Sequence, residues 1–112
     1  MKEVRAYIKD HKLSATTLAL HKIEGLTGMT VSDVRGIGRG MRAHDHRRGE
    51  EIADHLPRVR IEVFCRDELV PDVIQAIQKA AHTGLRGDGK IYVLDVQEAV
   101  RISSGEQGES AV

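Results

Sequence analysis

Aromatic residues are scarce. The 112-residue chain has no tryptophan, and Tyr7, Phe64 and Tyr92 make up 3% of it. The core therefore has to come from Val, Ile, Leu and Ala, which supply burial and little chemistry. Cysteine is nearly absent too. Cys65 stands alone, so no internal disulfide can form, and a reducing, cytoplasmic setting is expected. Neither sign of charge is in excess, since 17 Lys and Arg balance 17 Asp and Glu. A dedicated nucleic-acid binder would carry a basic surplus, so that class is set aside. No apolar run approaches the ~20 residues that a membrane-crossing helix needs. Charged Lys2, Glu3 and Arg5 open the chain where a secretory leader would have an apolar stretch. No internal repeat is present.

What the chain does have is enough apolar residue, 40%, for one packed domain spanning residues 1–112. Val4, Ala6 and Ile8 alternate with Arg5, Tyr7 and Lys9, the period of a half-buried strand. Ser14 is a plausible N-cap for a helix carrying Ala15, Leu18, Ala19, Lys22 and Ile23, with Gly25 as its stop. Thr30 to Gly36 reads as a second strand through its β-branched residues. Val59, Ile61 and Val63 mark a third strand. Val70, Val73, Ile74, Ile77, Ala80 and Ala81 share a helical face, and Pro71 fits only that helix's first turn. Lys90 to Val96 forms a fourth strand. Residues 39 to 55 lose all apolar periodicity and predict a long loop between strands two and three, a length usually associated with function or disorder. The small polar residues from Ser103 to Val112 predict a flexible tail.

The order β-α-β-β-α-β is the ferredoxin-like arrangement, of the α+β class. Two helices cover one face of a four-stranded sheet. Ile91, Tyr92, Val93, Leu94 and Val96 are apolar on both faces of the fourth strand, so the second face also needs a cover. Another copy of the chain is the economical cover, and a homo-oligomer is expected.

Six of the 11 glycines fall in two stretches. Thr83-Gly84-Leu85-Arg86-Gly87-Asp88-Gly89-Lys90 has the beginning of a phosphate-loop pattern. Ile91 stands where a magnesium-holding hydroxyl is required, however, and the loop lies between helix and strand in the wrong order. Two readings stay open on these residues alone: a plain tight turn, or an anion-binding nest of backbone N–H groups reinforced by Lys90. Val34-Arg35-Gly36-Ile37-Gly38-Arg39-Gly40 closes the second strand and is weak by itself.

Together, in this order, the segments resemble the PII signal-transduction family over nearly the whole chain. The matching segments are Leu26 to Val31, Gly36-Ile37-Gly38-Arg39, Leu56 to Glu62, Thr83 to Val93, and Arg101-Ile102 with the tail from Gly105. The resemblance implies a cytoplasmic homotrimer of ferredoxin-like subunits that is not an enzyme. It implies ATP or ADP, with magnesium as a candidate co-ligand, bound in clefts between subunits and not consumed. A long loop, the T-loop, at about residues 40–55 would report the ligand state to a nitrogen-related enzyme, transporter or regulator. Neither nucleic acid nor membrane insertion is implied. Residue by residue, Gly36, Ile37, Gly38 and Arg39 match the first nucleotide-contacting segment, and Thr30 matches a position near the adenine. Gly87, Asp88, Gly89 and Lys90 match the phosphate-contacting loop. Arg101 matches a phosphate contact supplied across the subunit boundary.

The chain departs from the family mainly inside the loop. Glu51 stands near the position of the tyrosine that accepts a nucleotidyl group, and no Ser, Thr or Tyr occurs between Arg39 and His55. Gly40 replaces a glutamine of the Mg-ATP and 2-oxoglutarate site. Arg58 replaces a lysine there and remains a candidate for 2-oxoglutarate or another anion, while Ser103 replaces a second arginine near the phosphates. These changes mark a diverged branch of the family. The same loop brings His44 and His46, whose spacing can offer two imidazoles to a transition metal. A metal-responsive protein using these histidines is therefore the alternative function. No nucleophile–base pair is recognisable, which places an enzyme last.

Overall fold

The computed structural model describes residues 1–37 and 56–112. Alternation at the chain's start produces β1 (Lys2–Lys9), in which Val4, Ala6 and Ile8 are buried. A single 3-10 turn, Asp10–Lys12, leads into α1 (Leu13–His21). The helix begins one residue before Ser14, and its N-cap position is Lys12, without a side-chain cap. The 3-10 turn supplies the first backbone turn, so Ser14 is not needed as the cap. The helix face is anchored by Leu20 and by buried Thr16, whose hydroxyl donates to the Lys12 carbonyl at 2.8 Å. Gly25, at φ 90°, turns the chain away beyond the helix.

The remaining elements are β2 (Thr30–Gly36), β3 (Leu56–Cys65), α2 (Val70–Ala81) and β4 (Gly89–Asp95). Pro71 sits in the first turn of α2, where its missing N–H has no helical partner to lose. The four strands form one sheet in the order β2-β3-β1-β4, with every neighbouring pair antiparallel. The α+β, ferredoxin-like reading therefore holds.

Both helices pack on one face of this sheet. Val4, Ala6, Ile8, Val59, Ile61, Val63 and Cys65 meet Leu20, Val73, Ile77 and Ala81 in a single core. Burial pushes the Cys65 thiol up from its ordinary pKa, in keeping with a packing role. The opposite face is half polar and half apolar. Arg5 donates to the Glu3 carboxylate from Nε and Nη2, both at 2.9 Å. That fork holds Glu3 below the usual carboxylate range. Beside it, Tyr7 and Tyr92 meet edge to face with ring centroids 6.2 Å apart. Phe64, Tyr92 and Leu94 are left exposed on this face. None of the described helices is long and apolar enough to cross a membrane.

The end of the chain folds back on itself. Val100 bridges Gln107, and Gly105 N–H donates to the Arg101 carbonyl at 2.7 Å. A 3-10 turn, Gly108–Ala111, follows. Gly105 and Gly108 at positive φ make the reversal possible.

Candidate functional site

The register decides which of the candidate residues share a neighbourhood. Pairing of Lys9 with Arg58, Val34 with Arg58, Ile8 with Gly89 and Tyr7 with Lys90 brings four segments to one end of the sheet. Gly36, Ile37, Arg58 and the loop before β4 meet there. A Cβ on Gly36 would lie 3.6 Å from the Arg58 side chain, and one on Gly87 would lie 3.2 Å from Arg58 Nη2. Arg58 donates from Nη2 to the Gly87 carbonyl at 3.4 Å and from Nη1 to the Pro57 carbonyl at 3.0 Å. Gly87, at φ 80°, gives the guanidinium room against the loop, while the spacing at Gly36 is ordinary contact.

Gly89 has the tightest constraint in this corner. It holds φ 109°, and a Cβ there would fall 1.7 Å from the Tyr7 carbonyl oxygen. The start of β4 can approach β1 this closely only without a side chain.

The loop is braced from inside by Asp88. Its carboxylate accepts the Thr83 N–H at 2.8 Å and also the Thr83 hydroxyl. The same hydroxyl accepts the Leu85 N–H at 3.0 Å. Lys9 Nζ lies 3.2 Å from Asp88 and 3.3 Å from the Thr83 hydroxyl. His82 Nδ1 is 3.4 Å from the other carboxylate oxygen. The Thr83 hydroxyl and N–H, then Lys9, hold Asp88 well below the usual carboxylate range. Asp88 therefore keeps its charge for the loop itself. What the corner presents to a ligand is a glycine backbone, with Lys90 exposed at the head of β4 and Arg58 alongside. Glycine N–H donors beside two cations suit an anion of several charges, phosphate above all.

Thr30 and Arg101 are elsewhere. Thr30 pairs with Glu62 at the far end of β2, about 20 Å from Gly36 at the usual rise per strand residue. There a groove of about 530 Å³ is lined by Gly28, Thr30, Glu62, Phe64, Val100 and Val112, among others. Arg101 directly follows Val100. Its guanidinium donates from Nη1 to Glu106 Oε1 at 3.1 Å and from Nη2 to the Ser110 carbonyl at 3.2 Å. One chain therefore carries two half-sets at opposite ends of its sheet.

Gly38, Arg39, the loop histidines His44 and His46, and the T-loop at 40–55 lie outside the described residues. Among the described residues no group of three metal-binding side chains occurs. Two participants escape the sequence reading, Lys9 and Glu106, and so does the bracing role of Thr83, a residue that opens the quoted glycine stretch. Lys9 and Thr83 are 74 positions apart in the chain, and only strand pairing joins them. The alternation in β1, which puts Lys9 on the polar face at the strand's end, was the one available signal.

The comparisons with known proteins agree with one another. The family model "Nitrogen regulatory protein P-II" matches residues 1–106. The chain is 47% identical to the nitrogen regulatory protein P-II of Azospirillum brasilense and 46% identical to that of Rhodospirillum rubrum, in each case over the full length of both chains. Among solved structures, that of Arabidopsis thaliana PII bound to citrate is similar with a TM-score of 0.81 and 35% identity, over 99% of this chain and 91% of the other.

Proposed function

Because the chain belongs to the nitrogen regulatory protein P-II family, we propose that it is a cytoplasmic, adenine-nucleotide-sensing homotrimer without turnover of its own. It controls a nitrogen-related enzyme, transporter or regulator through the loop at 40–55. The observation that carries this reading is the braced loop. Asp88 spends its charge on Thr83 and Lys9, so the glycine backbone and Lys90 are the groups that would meet the phosphates of ATP or ADP, with Arg58 nearby as a candidate for a further anion. The citrate in the Arabidopsis structure is also a polyanion, and the cationic corner suits that class of charge. Asp88 is the carboxylate of this corner and is already committed, so magnesium would come with the phosphates.

The separation of the half-sets supports a site shared between subunits. In a trimer, Gly36, Arg58 and Lys90 of one copy face Thr30 and Arg101 of the next. The exposed Phe64, Tyr92 and Leu94 give the sheet's second face a reason to be covered.

The test is calorimetry of the full chain with ATP, ADP and AMP, alongside a zinc titration and sedimentation. A trimer that binds at least ADP or ATP is the expected result. A monomer, or no heat with any of the three nucleotides, overturns the reading. Zinc binding without nucleotide binding would move the assignment to the metal-responsive alternative and His44 with His46.

A further inference from the structure

Arg101 does not stand ready for a ligand in this structure. It is held by its own C-terminal segment through Glu106 Oε1 at 3.1 Å and the Ser110 carbonyl at 3.2 Å. The backbone keeps the pair together, since Arg101 N–H donates to the Glu106 carbonyl at 2.8 Å and Gly105 N–H donates to the Arg101 carbonyl at 2.7 Å. The geometry is therefore a closed turn whose two ends also form an ion pair. Glu106 is supported on its other side, as the Ser104 hydroxyl donates to the same Oε1 at 3.3 Å.

We propose that Glu106 is an affinity-setting residue of the nucleotide site, an internal anion that competes with ligand phosphate for Arg101. The inference rests on the nucleotide reading above and adds a residue to it. A phosphate and the Glu106 carboxylate are alternative partners for one guanidinium. A phosphate that takes the Nη1 donor now held by Glu106 exchanges with the carboxylate, so the gain at that donor is the difference between two charge-assisted contacts. The turn that ends in Ser110 continues into Ala111 and Val112, which line the groove beside Thr30. Loosening Arg101 therefore also loosens the segment that borders the groove. An exposed ion pair such as this one, with both side chains 45% exposed, makes a modest competitor. Its removal is worth a few-fold in affinity rather than orders of magnitude.

The experiment is calorimetry of the full chain with ATP, ADP and AMP for the wild type, Glu106→Gln, Arg101→Ala and the double variant, each first checked for the same circular-dichroism melt. The expected result has two parts. Glu106→Gln tightens, by about two- to fivefold, those nucleotides that Arg101→Ala weakens, and leaves the others unchanged. The gain disappears in the double variant. If the wild type binds nucleotide but Glu106→Gln matches it within experimental scatter, the competitor role is overturned and the nucleotide reading stands. If Glu106→Gln still tightens binding in the Arg101→Ala background, Glu106 acts through general charge and the proposal also fails. If the wild type binds none of the three, the nucleotide reading itself is lost and this inference falls with it.

Discussion

Asp88 accepts the Thr83 N–H at 2.8 Å and the Thr83 hydroxyl with its other oxygen. This closes a ring around residues 84–87 and leaves Gly89 and Lys90 just beyond it. A side chain inside the phosphate-binding candidate thus serves the backbone, and a ligand would meet the consequence of that bond rather than the carboxylate.

The first prediction concerns acid stability. Asp88 has a folded pKa well below its unfolded value, through Thr83 first and Lys9 after it. A depressed carboxylate contributes stability that is fully present above the unfolded pKa, near 4. The contribution is lost as pH falls from there toward the folded value. Asp88→Asn removes this contribution. Urea midpoints for the variant should be lower than wild type at pH 7, with the gap narrowing progressively as pH falls below about 4 toward the folded value. A constant gap across the range would dissociate Asp88 from the acid response.

A second prediction separates two kinds of glycine. Gly84 has φ 82° with open space around it, whereas Gly89 has φ 109° and the Tyr7 carbonyl where a Cβ would go. Gly84→Ala should cost about 1–2 kcal/mol, the penalty of left-handed backbone. Gly89→Ala should cost about 3 kcal/mol or more, because overpacking against backbone adds to that penalty. Denaturant titration of both variants measures the difference. Equal losses would mean that β4 shifts away from β1 without penalty.

The third prediction tests the shared site. Lys90→Ala should weaken ADP or ATP binding by about 1.5–3 kcal/mol, the range for losing a hydrogen bond to a charged group. Mixing refolded Lys90→Ala and Arg101→Ala chains in equal amounts should restore wild-type affinity at about a quarter of the interfaces, since each mixed interface can pair one intact half with the other. Calorimetric stoichiometry reads this fraction. No restoration would place both residues in the same chain's site.

The fourth concerns covalent control. With no Ser, Thr or Tyr between Arg39 and His55, the loop has no hydroxyl to accept a nucleotidyl or phosphoryl group. On the proposed function, control would then come from ligands that bind loop conformations with different affinity. Peptide mass spectrometry on protein from its native host should find no such adduct across residues 40–55. An adduct there would overturn non-covalent control.

Much of the fold was legible because its signals are local. The alternation of Val4, Ala6 and Ile8, and of Val59, Ile61 and Val63, is a face-by-face record of burial. Pro71 opens α2 for a backbone reason that any context would enforce, whereas α1 ends at His21, before Gly25, the stop expected for it. The start of α1 was misplaced because a 3-10 turn, Asp10–Lys12, took over the work that a Ser14 cap would do. The apolar count in β4 pointed to the exposed second face, but not to its Glu3 and Arg5 pair, because polar side chains on a strand read as solvated. In the candidate site, Gly87 to Lys90 and Gly36 stood out by composition. Lys9 did not, since only the β1–β4 and β1–β3 registers carry it to the loop, and Thr83 was quoted without its role as a brace for Asp88. Glu106 was hidden for a different reason. A glutamate five residues from an arginine looks like surface charge until the turn at Gly105 folds one onto the other.

The placement of the two half-sets at opposite ends of the sheet has a consequence for dosage. If neighbouring copies complete each site, ligand response becomes a property of the population and protein concentration enters it directly. Dilution would silence the sensor by separating its halves while each chain kept its core, and nucleotide would act in turn as a clamp that lowers the concentration needed for assembly. Expression level and metabolite level would then be read as one combined variable.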